Sequence, residues 1–279
     1  MNQMDTRRMC PHCRAFITSK DRVCPYCNER VGPPAVERRN PAGLIGGLIP
    51  QARFTTAILL LINLGMYAGT VIYSMRAGNS DALWNLDIQT LLDFGANRRL
   101  YTVAGQTWRL VTAGFLHGGL LHIGMNMWVL FDVGPQVEEF YGTSRMLVIY
   151  FAGSVLGFVF STVWSESVSV GASAGLMGLI GAMIAVGVHH RTAMGAAIRS
   201  HYIRWMIVIL VIGVLPNFHV DNAAHVGGLA GGFGVAYTAG FPRVAGSWQE
   251  RVWRLLAYVC VLVTVFSFYR MCLWLMAGG

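Results

Sequence analysis

The sequence predicts an all-α polytopic membrane protein preceded by a small cysteine-bearing unit, and three observations lead there. Of its 279 residues, 54% are hydrophobic and only 12% are charged, against about 25% charged in soluble domains. Long apolar runs recur through the last four fifths of the chain. Arginines flank those runs, where membrane topology puts basic residues. The formal net charge is +8, carried almost wholly by arginine, since Lys20 is the one lysine. A basic balance alone would suit nucleic acid. Its distribution along the apolar runs speaks for orientation in a bilayer instead, and no nucleic-acid partner is expected.

Residues 1–31 hold "CPHC" at 10–13 and "CPYC" at 24–27, that is Cys10, Cys13, Cys24 and Cys27. Each Pro pre-sets a turn, and two such knuckles can close a tetrahedral thiolate cage around zinc. Two disulfides are the alternative, which a cytoplasmic N-terminus disfavours. So short a segment needs the metal to fold, so a structural zinc and a zinc-ribbon-like unit are expected. Docking of a protein partner, regulation and anchoring all remain open as its purpose. Residues 32–52 read as a Pro/Gly-rich linker. Residues 53–279 form the transmembrane domain, with a core over 53–241 and an extra helix over 253–276.

Seven spans are expected, at 53–75, 119–135, 145–164, 172–189, 203–217, 224–241 and 253–276. No cleavable signal is visible, so the first would serve as an uncleaved anchor. The fourth to sixth are short and Gly-rich, which predicts positions inside a bundle, since glycine permits close helix contact in lipid. Gly171, Gly175 and Gly178 recur at steps of four and three and are expected on one face. Nine of the 21 basic residues precede residue 54. A cytoplasmic N-terminus then puts Arg145, Arg191, Arg199, Arg204, Arg243, Arg251 and Arg254 inside as well, and the C-terminus outside. The outer loop 76–118, despite Arg76, Arg98, Arg99 and Arg109, is too long for a plain connector. With "LWNLDIQTLLDFGA" in it, a structured interfacial element is expected. Cys260 and Cys272, in the last span, read as packing or lipid-facing residues.

Polar side chains in an apolar span need a reason. His117, His122 and Asn126 enter the second span in "FLHGGLLHIGMN", Ser173 opens the fourth in "GASAGLMG", and His225 opens the sixth in "DNAAHVGGLAGG". The topology brings these three helix starts to one leaflet. His122 and Asn126 are four apart and share a face, as do His225, Gly228 and Gly232. A serine hydroxyl needs a base to become a nucleophile, and His225 is the available one. Neither the fourth nor the sixth span has an acidic residue, and Asp221 lies just outside the latter, so a Ser–His dyad is expected. His122, Asn126 and the Ser173 backbone N–H can donate to an oxyanion. The G-x-S-x-G spelling around Ser173 carries no weight, because a nucleophile elbow needs a strand and a sheet. Small-residue tracks are commonly packing devices, and a lone intramembrane His can serve a proton relay. A non-catalytic membrane binder or chaperone and a histidine-relay transporter are therefore the rival readings.

The motifs "WRLVTAGFLHGGLLHIGMN" at 108–126, "VGASAGLMG" at 170–178 and "DNAAHVGGLAGG" at 221–232 together resemble those of the rhomboid intramembrane serine proteases. That resemblance implies a six-helix bundle, here with a seventh helix at its C-terminus, in a membrane of the bacterial inner (plasma) type. It implies a serine endopeptidase acting within or beside the spanning segments of membrane-anchored substrates, with no cofactor for catalysis. Ser173 matches the family nucleophile, His225 its base, and His122 and Asn126 its oxyanion side. His117 matches a structural histidine, and Trp108 and Arg109 match a loop-shaping pair. Asn222 matches a polar residue before the base, and Gly228 and Gly232 the glycines joining the two catalytic helices. Glu138 matches an acidic residue tying the second and third helices. Ala174 stands where members often have Gly, and Met177 where they often have an aromatic that packs on the His ring.

Overall fold

The computed structural model describes residues 7–10, 12–18, 21–31, 53–215, 220–242 and 247–278. The expected linker at 32–52 lies outside them. The N-terminal unit pairs β1 (Arg7–Met9) with β2 (Phe16–Thr18) in an antiparallel hairpin. Nine helices follow among the described residues: α1 (Phe54–Arg76), α2 (Ile88–Asp93), α3 (Arg99–Val103), α4 (Arg109–Thr112), α5 (Leu120–Trp164), α6 (Ser173–His189), α7 (Ala193–Ile212), α8 (Asn222–Ala239) and α9 (Trp248–Met276). Four of these, α1, α5, α7 and α9, are long and apolar enough to cross a membrane, so the chain is an integral membrane protein.

The 45-residue α5 breaks at Gly142, whose φ of 74° and ψ of 163° lie outside the helical region. Two arms result where the sequence predicts two spans. The first arm, however, runs through Pro135 to 141. Pro135 forfeits one backbone hydrogen bond, but the glycine supplies the positive φ that turns the chain. Helix α7 starts ten residues before the expected 203, because Thr192 caps it by accepting from the Gly195 N–H at 3.2 Å. Its first turns carry Arg199, His201 and Arg204, which an apolar window passes over. Similarly α9 starts at Trp248, capped by Ser247.

One expectation about burial fails. Helix α6 is almost wholly inside the bundle, but α7 is not, with only Gly195 and Tyr202 buried along its length. Its middle is Ile, Val, Leu and Met, with no glycine track to admit a second helix. It packs chiefly on α6, at Gly187 and Gly195.

The tightest packing joins the second arm of α5 to α6 and α8. The expected track of Gly171, Gly175 and Gly178 is not one face. Gly171 precedes the helix at φ 127°, and Gly175 sits over the Tyr150 ring, where an added Cβ would come within 2.6 Å. The contact face is instead Ala174, Gly178 and Gly181. An added Cβ at Gly228 would strike the Ala174 carbonyl, and one at Gly232 would strike the Gly178 backbone. On α5, a Cβ at Gly153 would stand 3.0 Å from Gly178 Cα, and one at Gly157 would stand 2.6 Å from the Ala224 carbonyl. Three backbones thus approach with little more than the Ala174 methyl between them.

Two buried charges fasten the outlying helices. Glu138 accepts from the Thr55 N–H and hydroxyl at 3.0 and 2.7 Å, from the Thr56 N–H at 3.2 Å and from the Thr143 hydroxyl at 2.9 Å. It therefore holds the start of α1, and not just the two arms of α5 that the sequence comparison implied. Arg145 forms a buried bidentate pair with Glu250 at 2.7 and 2.8 Å, tying α9 to α5. Removing one partner of such a pair typically costs about 3–5 kcal/mol, because the other charge is left buried and uncompensated.

Gly228→Ala and Gly232→Ala are each expected to lower stability by about 1–3 kcal/mol through overpacking. Gly234→Ala, whose added Cβ meets nothing within 4 Å, should leave the unfolding midpoint unchanged. Thermal unfolding in detergent checks this, and equal shifts for all three would refute the close-contact account.

Candidate active site

Three helix starts meet at one cavity of about 640 Å³, lined by Ser173, His225, His122 and Asn126 together with Met177 and Asp221. Ser173 is the first residue of α6, where free backbone N–H groups favour negative charge. His225 lies in the first turn of α8. Asp221 caps that turn by accepting from the Ala224 N–H at 3.0 Å. His225 Nδ1 is buried without a hydrogen-bond partner, and Asp221, one turn before it, is a carboxylate near enough to act on the ring through its charge. No hydrogen bond joins the Ser173 hydroxyl to His225 among the described residues, although both open on the same cavity.

His122 and Asn126 share a face of the first α5 arm. A Cβ added at Gly171, two residues before Ser173, would fall 2.7 Å from His122 Nε2 and 3.6 Å from Asn126 Nδ2. Both groups are therefore held against the chain that leads into Ser173, and only glycine leaves them room. The Gly118 N–H donates to His122 Nδ1 at 3.4 Å. A neutral imidazole has one acceptor and one donor nitrogen, so this contact puts the proton on Nε2. The Asn126 amide nitrogen is buried with no partner. Two donors thus stand free beside the serine. His117 does not line the cavity. It is fully buried, with its ring 5.1 Å from that of His122 in an edge-on contact, and acts as packing behind it.

The loop 76–118 is ordered around Arg109. This guanidinium donates to Gln106 at 2.7 Å and to the carbonyls of Leu92 and Ala96 at 2.7 and 3.1 Å. It also stacks over Tyr101, Trp108 and Trp274 at 4.6, 4.6 and 5.2 Å. Burial lowers its pKa to about 10, so it stays protonated at neutral pH. The loop then reaches the serine segment twice. Asn97 and Ser169 exchange backbone hydrogen bonds at 3.1 and 2.8 Å, and the Gly171 N–H donates to the Ala113 carbonyl at 3.0 Å. Trp108 packs beneath Gly95. Asn222 is away from the cavity, and its amide donates to the Leu210 carbonyl at 3.1 Å, tying α8 to the end of α7. This tie, the Arg109 cage with Trp274 and the Arg145–Glu250 pair leave no signal in the sequence. Each joins residues too far apart in the chain for spacing to reveal.

In the N-terminal unit the four cysteine sulfurs lie within 4.8 Å of one another. Cys10 and Cys27 are 3.7 Å apart, and Cys13 and Cys24 are 3.6 Å apart. The two knuckles repeat one backbone pattern: the Cys10 carbonyl accepts from the Arg14 N–H and the Cys24 carbonyl from the Asn28 N–H, both at 2.9 Å. A zinc–sulfur bond of about 2.3 Å gives a tetrahedral edge of about 3.8 Å. The cluster therefore has the dimensions of a metal cage. Backbone N–H groups and the crowding of sulfurs act on its thiols in opposite directions. The Cys13 backbone N–H holds the Cys10 thiol down to about 6, whereas Cys27 is pushed up to about 12. For Cys27 the Glu29 N–H pulls downward, and desolvation with the three neighbouring sulfurs outweighs it.

The rhomboid domain profile matches residues 104–241. The chain is similar to the Rhomboid protease GluP of Bacillus subtilis (strain 168), at 35% identity over 63% of this chain and 34% of that protein. It is also similar to RHOMBOID-like protein 6, mitochondrial, of Arabidopsis thaliana, at 36% identity over 52% of this chain and 47% of that protein. A third relative, Inactive RHOMBOID-like protein 8 of Arabidopsis thaliana, is 32% identical over 48% of this chain and 38% of that protein. The matches span between about a third and a half of these curated relatives.

Proposed function

The chain belongs to the rhomboid family through residues 104–241, and from that premise we propose that it is an intramembrane serine endopeptidase. It cleaves within or beside the spanning segments of membrane-anchored proteins through a Ser173–His225 dyad. The observation that carries this reading is the single cavity onto which Ser173, His225, His122 and Asn126 all open. His225 takes the Ser173 proton as the oxygen attacks a substrate carbonyl. The oxyanion receives hydrogen bonds from His122 Nε2–H and the Asn126 amide. The tetrahedral intermediate expels the amine, which leaves with the proton from His225. Water, activated by the same histidine, then hydrolyses the acyl-enzyme. The scissile peptide must first leave its helix, because an intact helix engages its carbonyls. Met177 lines the same cavity as His225 and offers a thioether in place of an aromatic ring.

The missing Ser173–His225 hydrogen bond, with one relative named inactive, favours a non-catalytic membrane binder as the second reading. Catalytic hydrogen bonds often tighten only with substrate bound, which keeps the peptidase first. A fluorophosphonate probe is expected to label the wild type and not Ser173→Ala, and His225→Ala to abolish cleavage of a single-span substrate. Cleavage persisting in Ser173→Ala would remove the dyad.

The arrangement in the bilayer is six helices plus one, with the N-terminus cytoplasmic and α9 ending outside. Its support is the arginine distribution and the two arms of α5. A reporter fused at the C-terminus should read as external, and a cytoplasmic signal would overturn the seven-span topology.

The cysteine unit holds one structural zinc through Cys10, Cys13, Cys24 and Cys27, consistent with the sulfur spacing. Zinc there replaces the core that so small a unit lacks. Metal analysis after purification under reducing conditions should find about one zinc per chain, and none after Cys13→Ser with Cys27→Ser. Zinc-free wild-type protein would refute the assignment.

A further inference from the structure

Helix α9 is held unevenly. Of its 29 residues only Glu250, Ala257, Ser267 and Met271 are buried, and Leu255, Leu262, Val265 and Phe266 are exposed along it. Its specific contacts lie toward its two ends. One is the Arg145–Glu250 pair. The other is aromatic. The Phe268 ring lies 5.4 Å from that of Phe115, and the Trp274 ring lies 6.2 Å from that of Tyr101 and 5.2 Å from the Arg109 guanidinium carbon. The rhomboid profile ends at residue 241, so both α9 rings lie outside the segment it matches.

These rings meet the outer loop where that loop holds the serine segment. Phe115 belongs to the 3-10 turn Ala113–Phe115, whose Ala113 carbonyl receives the Gly171 N–H. Gly171 is the residue with no room for a Cβ beside His122 and Asn126. Arg109 is fully buried, and no carboxylate pairs with it among the described residues. Three ring faces, the Gln106 amide oxygen and the Leu92 and Ala96 carbonyls stand in for one. Ala96 directly precedes Asn97, which bridges to Ser169. Removing the Trp274 face uncovers a buried charge, and the loop must shift to satisfy it.

We propose that Phe268 and Trp274 are positioning residues for the reaction at Ser173. The last helix braces the outer loop, and through Ala113 and Asn97 it fixes Gly171 and the register of the two oxyanion donors against it. Trp274 Nε1 is buried without a hydrogen-bond partner, so the ring face and not the N–H makes the contact. The effect on reaction rests on the peptidase reading, but the brace itself does not.

The test uses the full-length protein in vesicles with Phe268→Ala and Trp274→Ala combined. Beside it stand Trp274→Phe and Phe266→Ala, the latter an exposed aromatic on the same helix. The double variant should lower kcat on a single-span substrate about ten- to a hundredfold with KM unchanged, the scale on which a misplacement of about 1 Å costs rate. Trp274→Phe should keep the wild-type rate, because a phenyl face serves, and Phe266→Ala should change nothing. Amide hydrogen exchange is the second measurement. The Gly171 and Asn97 N–H groups should exchange faster in the double variant, with α6 and α8 amides at the wild-type rate. If the double variant does not fold, Trp274→Leu, apolar but without a ring, takes its place with the same outcomes. Unchanged exchange at Gly171 overturns the brace. Faster exchange there with unchanged kcat, or a loss in Trp274→Phe as large as in the double variant, overturns the positioning role. A wild type that cleaves nothing refutes the peptidase, and exchange at Gly171 still decides the brace.

Discussion

The fold depends on three backbones touching. Where α6 meets α8 and the second arm of α5, the contact atoms are carbonyls and α-carbons of Ala174, Gly178, Gly228, Gly232, Gly153 and Gly157. In lipid there is little hydrophobic gain in bringing helices together, so close fit has to supply the attraction. That fit also fixes distance. Ser173 and His225 sit at the starts of the two helices so joined, and any side chain between them would widen the gap on the scale of a hydrogen bond. Packing and the spacing of Ser173 from His225 therefore draw on the same residues.

Around this centre the protein uses buried charge sparingly and for attachment. Glu138 gathers the start of α1 and the turn between the α5 arms. The Arg145–Glu250 pair brings in α9 at one end, and Trp274 returns at the other to close the cage around Arg109. Arg109 in turn shapes the loop that hydrogen-bonds to the segment before Ser173. The last helix, far from the serine in sequence, is thereby mechanically connected to it through a guanidinium and two backbone bridges.

Much of this was legible in the residues. His122 with Asn126 and His225 with Gly228 declare shared faces by spacing alone. The glycine track of α6 was misassigned because Gly171 is not yet helical, and spacing cannot tell a glycine in a helix from one held at positive φ before it. The ends of α7 and α9 were missed because caps at Thr192 and Ser247 extend helices into polar sequence. The burial of α7 is not legible in its length, because its bulky middle leaves no surface for a close neighbour. Long-range pairs such as Arg145 with Glu250 carry no local signal at all.

Gly142 has one more consequence, for the order in which the bundle is made. The arms of α5 are joined by a single non-helical residue, so bringing them together closes almost no loop and sacrifices very little chain entropy. Gly153 and Gly157, on the second arm, are synthesised before either α6 or α8. During biogenesis the receiving surface thus exists in the chain first, and the helices bearing Ser173 and His225 arrive in turn at a seat already built.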